Sequence, residues 1–258
     1  MPDELPAQMY GQVTAFIGGM LVIFAGGTLE LDDDDDDDEH DARSAGFSWH
    51  EQLRLWHPLP RIPTAVIHPA YCVLGSRLFA VGGFVDFRSD PDAYEPGENA
   101  HYTTRLQIYD SATRRWSLGP PLTAPKERRE VPLRAVAYKN RVYVFATHEG
   151  PDKSRHCYVY SPQAAAWSEL PRLAPENISE LGACVHDGRL VVAGITIRFE
   201  LPKQPRFTFM YELDDTTQTW TAPAQQNDRF DNSEKMWQRA KEGEDMHLWS
   251  FPLRLRSR

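Results

Sequence analysis

The chain has 258 residues, 41% of them hydrophobic, which is enough for one substantial core, and the strand spacing set out below favours a single all-β body over two. The net charge of −9 is local: Glu30, Asp32 through Asp38, Glu39 and Asp41 supply ten negative charges in one run, and the remainder is nearly neutral. That balance excludes a concentrated basic stripe for nucleic acid, and three cysteines exclude an even disulfide framework, so cytoplasm is the expected compartment, with the nucleus as an alternative.

From the N-terminus, Val13 to Gly27 (VTAFIGGMLVIFAGG) reads as two apolar strands around Gly18-Gly19. Glycine supplies the positive φ that a tight hairpin requires. The stretch is neither signal peptide nor anchor, because the glycine pair interrupts it and acids rather than a basic region precede it, and no membrane partner is expected. The acidic run follows as an expanded loop whose like charges repel. Its functional alternatives are a basic partner or a weak calcium site, although an EF-hand needs spaced ligands and a turn glycine that the run lacks. Trp49 and Trp56 come next, seven residues apart, followed by His-Pro-Leu-Pro60.

The same order then recurs three times. Ala70 to Gly83 (AYCVLGSRLFAVGG), Ala135 to Thr147 (AVAYKNRVYVFAT) and Ala183 to Gly194 (ACVHDGRLVVAG) each read as strand, two-residue turn and strand, with turns at Gly75-Ser76, Lys139-Asn140 and Asp187-Gly188. Behind them, Tyr109 precedes Trp116, Tyr160 precedes Trp167 and Leu213 precedes Trp220, again by seven residues. A fixed spacing of this kind means that one supersecondary unit is copied along the chain. Each copy holds four antiparallel strands: a hairpin of strands a and b, a loop, strand c ending near the aromatic, and strand d from the tryptophan. Proline closes the outer strand because it has no N–H for the ladder. The copies occupy about residues 10–60, 64–121, 131–171 and 180–223.

A double glycine closing strand b, then an aromatic, then tryptophan seven residues on, resembles the kelch-repeat family of β-propellers. The fullest copy is Gly82-Gly83 followed by Tyr109-Asp-Ser-Ala-Thr-Arg-Arg-Trp116. Gly26, Gly27, Trp56, Tyr160, Trp167, Gly194 and Trp220 hold further family positions, and the resemblance covers about residues 10–223. Ala146-Thr147 and Gly194-Ile195 depart from the two glycines, as Trp49 and Leu213 do from the tyrosine. The resemblance implies an all-β, kelch-type propeller of about four four-stranded blades over residues 1–223. Four is the minimum for a propeller, so the ring is expected to be incomplete or unusually closed. Glu4-Leu5-Pro6 looks like Glu169-Leu170-Pro171, the end of an outer strand, which suggests a shortened member of a longer kelch protein. Alternatively, Met246 to Leu255 supplies a missing strand. Residues 224–258 read as a tail with a short helix across Glu234 to Glu242, capped by Asp231-Asn232-Ser233 and stopped by Gly243.

Little in this pattern carries chemistry. No His or Cys pair has zinc spacing, and His156-Cys157 lies on a strand, where adjacent side chains point to opposite faces. There is no nucleophile elbow or phosphate-cradling loop. Cys72 and Cys184 share a repeat slot that Phe16 and Val136 fill elsewhere, so they read as small hydrophobes. Arg77, Arg141 and Arg189 also share a slot, beside an exposed turn, and read as structural. The most reactive-looking segment is Lys126-Glu127-Arg128-Arg129-Glu130, leading to Arg134. It connects strand d to the next strand a, as do Arg61 to Thr64 and Glu176 to Glu180. Resemblance to kelch enzymes of the sialic-acid mutarotase kind implies that such Arg and Glu residues approach a central channel. Arg61, Arg128, Arg129, Glu130, Arg134, Glu176 and Glu180 are therefore the candidate channel or loop-face residues. A galactose-oxidase-like copper cluster cannot be assigned, and no cofactor or metal is expected.

Long b-to-c loops at Thr28 to Gly46, Phe84 to Thr104 and Ile195 to Pro205 should gather on one face, where a rigid scaffold presents variable loops for binding. The expected function is a non-enzymatic interaction module, a scaffold or substrate-recognition subunit that binds a protein or peptide through that face. The alternative is a small-molecule enzyme of the mutarotase or lyase type. Open blade edges would also invite self-association.

Overall fold

The computed structural model describes residues 11–24, 45–85, 101–122, 130–148, 155–173, 178–196 and 207–221. The acidic run, Glu4-Leu5-Pro6, Gly26-Gly27, the expected helix and Met246 to Leu255 lie outside the described residues. The chain divides into two compact units, Met1–Glu176 and Asn177–Arg258.

Unit 1 contains three four-stranded antiparallel sheets, one for each of the first three repeats. Blade 1 is β1 (Val13–Ile17), β2 (Met20–Phe24), β3 (Gly46–His50) and β4 (Leu55–Leu59), paired in that order. After β5 (Val66–Ile67), blade 2 is built from β6 (Ala70–Leu74), β7 (Arg77–Val81), β10 (Leu106–Asp110) and β11 (Arg115–Gly119), with β8 (Phe84–Val85) and β9 (His101–Tyr102) inserted between its strands b and c. Blade 3 is β12 (Glu130–Tyr138), β13 (Arg141–His148), β14 (Arg155–Ser161) and β15 (Ala166–Leu170). Unit 2 contains blade 4: β16 (Ile178–His186), β17 (Arg189–Thr196), β18 (Phe207–Asp214) and β19 (Thr219–Thr221).

The repeat signals have direct geometric causes. At the a–b turns, Gly18 and Gly19, Lys139 and Asn140, and Asp187 and Gly188 all take positive φ, the conformation of tight hairpins. The seven-residue spacing places aromatic and tryptophan directly opposite across strands c and d: Trp49 with Trp56, Tyr109 with Trp116, Tyr160 with Trp167 and Leu213 with Trp220. Each c–d turn then needs one left-handed residue two places before the tryptophan, and Arg54, Arg114, Ala165 and Gln218 take φ of 49°, 53°, 50° and 55°. The departures from double glycine are explained as well. Gly82 and Gly83, at φ 68° and 100°, break strand b after Val81, whereas β13 and β17 run on through Ala146-Thr147 and Gly194-Ile195 against correspondingly long first strands.

One slot assignment changes. Cys72, Cys184 and Val136 pair with Phe79, Val191 and Tyr143, but the matching residue of blade 1 is Ala15, opposite Val22, rather than Phe16. The slot lies three residues before the turn, and a one-residue offset moves a side chain to the other face of a sheet.

Within unit 1, alternation gives each blade two apolar faces. The trailing face of blade 1 (Val13, Ala15, Ile17, Val22, Phe24) packs on the leading face of blade 2, where Leu78 and Tyr109 join the same cluster and Val73 and Trp116 border it. Phe24 lies 4.8 Å from Tyr109 and 4.9 Å from Trp116 between ring centroids. The trailing face of blade 2 (Phe79, Val81, Leu106) meets Val142, Val144 and Tyr160 of blade 3 in the same way. Each such side chain contributes about 1.5–3 kcal/mol by leaving water. A recurring hydrogen bond closes the outer rim. The Trp116 indole N–H donates to the Pro60 carbonyl at 3.0 Å, and that of Trp167 to the Pro120 carbonyl at 2.9 Å. The acceptor lies four residues past the preceding blade's tryptophan in both joints.

Candidate functional site

In a four-stranded antiparallel blade the a–b and c–d turns share one end, and the b–c loop and d–a connection share the other. In blade 2 this second end carries a small sheet of its own. The d–a segment Val66–Ile67 pairs with Phe84–Val85, which pairs in turn with His101–Tyr102, forming a three-stranded sheet from the two connections. Gly83 makes this possible, since a Cβ there would lie 3.0 Å from the Ile67 carbonyl oxygen and 3.1 Å from the Pro69 nitrogen. Backbone bonds Gly82 N–H to Arg105 O and Thr103 N–H to Gly83 O, each 3.0 Å, bring the loop back into strand c. Ile62, Val66 and Val85 form a small core beneath, bordered by Trp116.

Two side-chain features mark this end. Phe84 and Tyr102 meet edge to face, centroids 5.8 Å apart at 82°, and Tyr102 remains 45% exposed. Beside them, buried Gln107 exchanges two hydrogen bonds with the backbone of Thr64, accepting from its N–H at 2.7 Å and donating to its carbonyl at 3.1 Å. Arg105 donates to the Thr64 hydroxyl at 2.7 Å. Both lone backbone groups of Thr64 are thereby satisfied inside the fold, which pins the d–a connection. These residues carry little sequence signal: only the polar Gln107 between the apolar Leu106 and Ile108 stands out.

Of the expected channel residues, Arg128, Arg129 and Glu176 lie outside the described residues. Arg61 is exposed on the connection entering blade 2, Glu130 opens β12 opposite His148, and Arg134 is exposed on the same strand. Glu180 lies on β16 of unit 2, opposite Ile195. The repeated arginines sit at the opposite end of the blades, where Arg77 pairs with Asp110 at 3.1 Å and Arg189 with Glu212 at 2.8 Å. Fully buried His156 places Nδ1 2.7 Å from Glu169 Oε1 on the adjacent strand, a cross-strand tie within blade 3. Burial pushes the Cys72 thiol up to about 12 and raises those of Cys157 and Cys184, so all three are held as thiols. Among the described residues no group of three His, Cys, Asp or Glu side chains is placed to hold a metal ion.

The geometry defines a class: an all-β protein of kelch-type propeller blades. Residues 67–123, which span blade 2 with β8 and β9, match the family described as the Kelch motif. Among solved structures, that of YjhT is similar at 12% identity and a TM-score of 0.58, over 83% of this chain and 70% of that one. A likeness at that identity shows the fold alone. No curated protein matches the sequence. The chain thus carries a kelch motif in its second blade and the fold of a kelch-type β-propeller.

Proposed function

We propose that the chain is a non-enzymatic interaction module that binds a protein or peptide through the end of the blades carrying the b–c and d–a connections. The observation that carries this reading is the blade 2 insertion. Its three-stranded sheet holds a half-exposed aromatic pair, Tyr102 on Phe84, on a base pinned by Gln107 and Thr64. An amphipathic ring on a rigid base is the kind of anchor that protein interfaces favour, because it buries large area at little entropic cost. The edge strand β9 offers backbone groups beside the ring for an extended peptide.

The test begins with affinity capture by the intact chain. A captured protein or peptide is then purified and titrated against wild type and Tyr102→Ala. Binding weakened about tenfold or more by the substitution supports the reading. Equal affinity, with the fold intact by circular dichroism, removes it.

A further inference from the structure

At the end of the blades that carries the a–b and c–d turns, strand b opens on an arginine in blades 2, 3 and 4: Arg77, Arg141 and Arg189. In blade 2 the residue directly opposite is Asp110, whose carboxylate pairs with Arg77 at 3.1 Å and accepts the turn N–H groups of Ala112 and Thr113 at 2.9 and 3.2 Å. Asp214 holds the turn of blade 4 in the same way, accepting from Thr216 and Thr217 at 2.8 and 3.2 Å, while Arg189 pairs with Glu212, two residues earlier on strand c. Blade 3 has neither acid. Its strand c carries Ser161 in the slot of Asp110 and Asp214, and Val159 in the slot of Glu212. Val142 faces Tyr160, which sets Arg141 and Ser161 opposite one another as Arg77 and Asp110 are. Arg141 is exposed, and no carboxylate among the described residues pairs with it. The Ser161 hydroxyl accepts one turn N–H, that of Ala164, at 3.3 Å.

We infer that Ser161 is a phosphorylation site for a proline-directed protein kinase, and that the phosphate supplies the acid that blade 3 lacks. Of the 20 prolines in the chain, only Pro162 follows a serine or threonine. Ser161 and Pro162 are half-buried, and the next four residues, Gln163 to Ala166, are exposed and mostly alanine, so they put little bulk in the way of an enzyme. A kinase takes its substrate as an extended segment, which requires the turn to open. One side-chain bond holds this turn where blades 2 and 4 each have two to a carboxylate, so it opens at lower cost than either. In the transfer, the Ser161 oxygen attacks the γ-phosphorus of a nucleoside triphosphate, its proton passes to a base of the kinase, and the bond to the departing nucleoside diphosphate breaks. The new group carries a charge of about −1.5 to −2 and three strong acceptor oxygens, enough to engage Arg141 and the Ala164 N–H together. Those are the two kinds of contact that Asp110 makes in blade 2. Phosphorylation thereby ties strand b to strand c across the turn. The site lies at the opposite end of the blade from the b–c and d–a connections, and the inference does not rest on the proposed function.

The test incubates the intact, folded chain with ATP, magnesium and a purified proline-directed protein kinase, alongside Ser161→Ala and a synthetic peptide of residues 155–168, and maps the products by mass spectrometry. One phosphoryl group is expected at Ser161 in the folded chain and in the peptide, and none in the variant. The purified phosphorylated chain is expected to melt about 2–4 °C above the unmodified one. Arg141→Gln should accept the same phosphoryl group and lose that rise. A peptide or a folded chain left unmodified at Ser161 overturns the inference. So does a phosphorylated chain that melts no higher than the unmodified one, or a rise that persists in full in Arg141→Gln. If Ser161→Ala fails to fold, the mapped position in the wild-type chain decides the site without it.

Discussion

Replacing Gly83 by alanine separates two demands that the kelch double glycine could serve, backbone conformation and close approach. At φ +100° an L-residue is strained by roughly 1–2 kcal/mol. The new Cβ would also press on the Ile67 carbonyl oxygen at 3.0 Å and the Pro69 nitrogen at 3.1 Å. Both are backbone atoms of a connection held by the two Thr64–Gln107 bonds, so relief requires moving a pinned segment and costs about 1–3 kcal/mol more. The total is about 2–5 kcal/mol. Gly75 is the control: its φ of +60° is also positive, but nothing lies within 4 Å of a Cβ there, so Gly75→Ala should cost only about 1 kcal/mol. A difference of about 3 kcal/mol corresponds to roughly 6–12 °C in melting temperature for a body of this size. Thermal melts followed by circular dichroism measure it. Equal losses in the two variants would refute the close-approach argument and leave glycine there for its φ alone.

Trp167→Phe keeps an aromatic ring but loses the bond to the Pro120 carbonyl, and urea unfolding should show a loss of about 1–3 kcal/mol. Gln107→Ala leaves the buried N–H and carbonyl of Thr64 unpaired and should lose about 2–4 kcal/mol by the same measurement, while Gln107→Glu, which lacks the amide donor, should not restore it. Ala165→Gly relieves a non-glycine φ of +50° in the turn of blade 3, and a gain of about 0.5–1 kcal/mol is expected in thermal melts. The Thr113 N–H, Arg77 and the Ala112 N–H hold the Asp110 carboxyl below its ordinary value, and the N–H groups of Thr217 and Thr216 do the same for Asp214. Their contribution is therefore complete above the ordinary carboxylate pKa of about 3.9 and is lost as pH falls through the lowered folded values. Melts across that acidic window should show Asp110→Asn and Asp214→Asn flattening the loss.

The blades were legible because their signals are local and repeated. A turn pair that needs positive φ, or an aromatic that must face a tryptophan across a hairpin, leaves the same mark in every copy. The Phe16 slot shows how narrow the margin is, since an offset of one residue exchanges the two faces of a strand. The sheet of β5, β8 and β9 was not legible: each strand is two residues long, too short for alternation to register, and its partners come from connections far apart in sequence. Gln107 is not legible as a tie, because a buried amide satisfied by backbone looks, in sequence, like any polar residue in a strand. The joint between Trp116 and Pro60 leaves no separate mark, because a proline after an outer strand reads as its terminator, whereas its carbonyl is what the neighbouring blade uses.

That joint bears on how such a chain can grow. Trp116 and Pro120 lie four residues apart at the two ends of one outer strand, so blade 2 carries one half of the seam it makes with blade 1 and one half of the seam it makes with blade 3. A duplicated blade would arrive with both halves in place and need no newly matched surface on either side. Lengthening by tandem copying therefore faces a low structural barrier, while loss of a single tryptophan weakens one seam and leaves its neighbours intact.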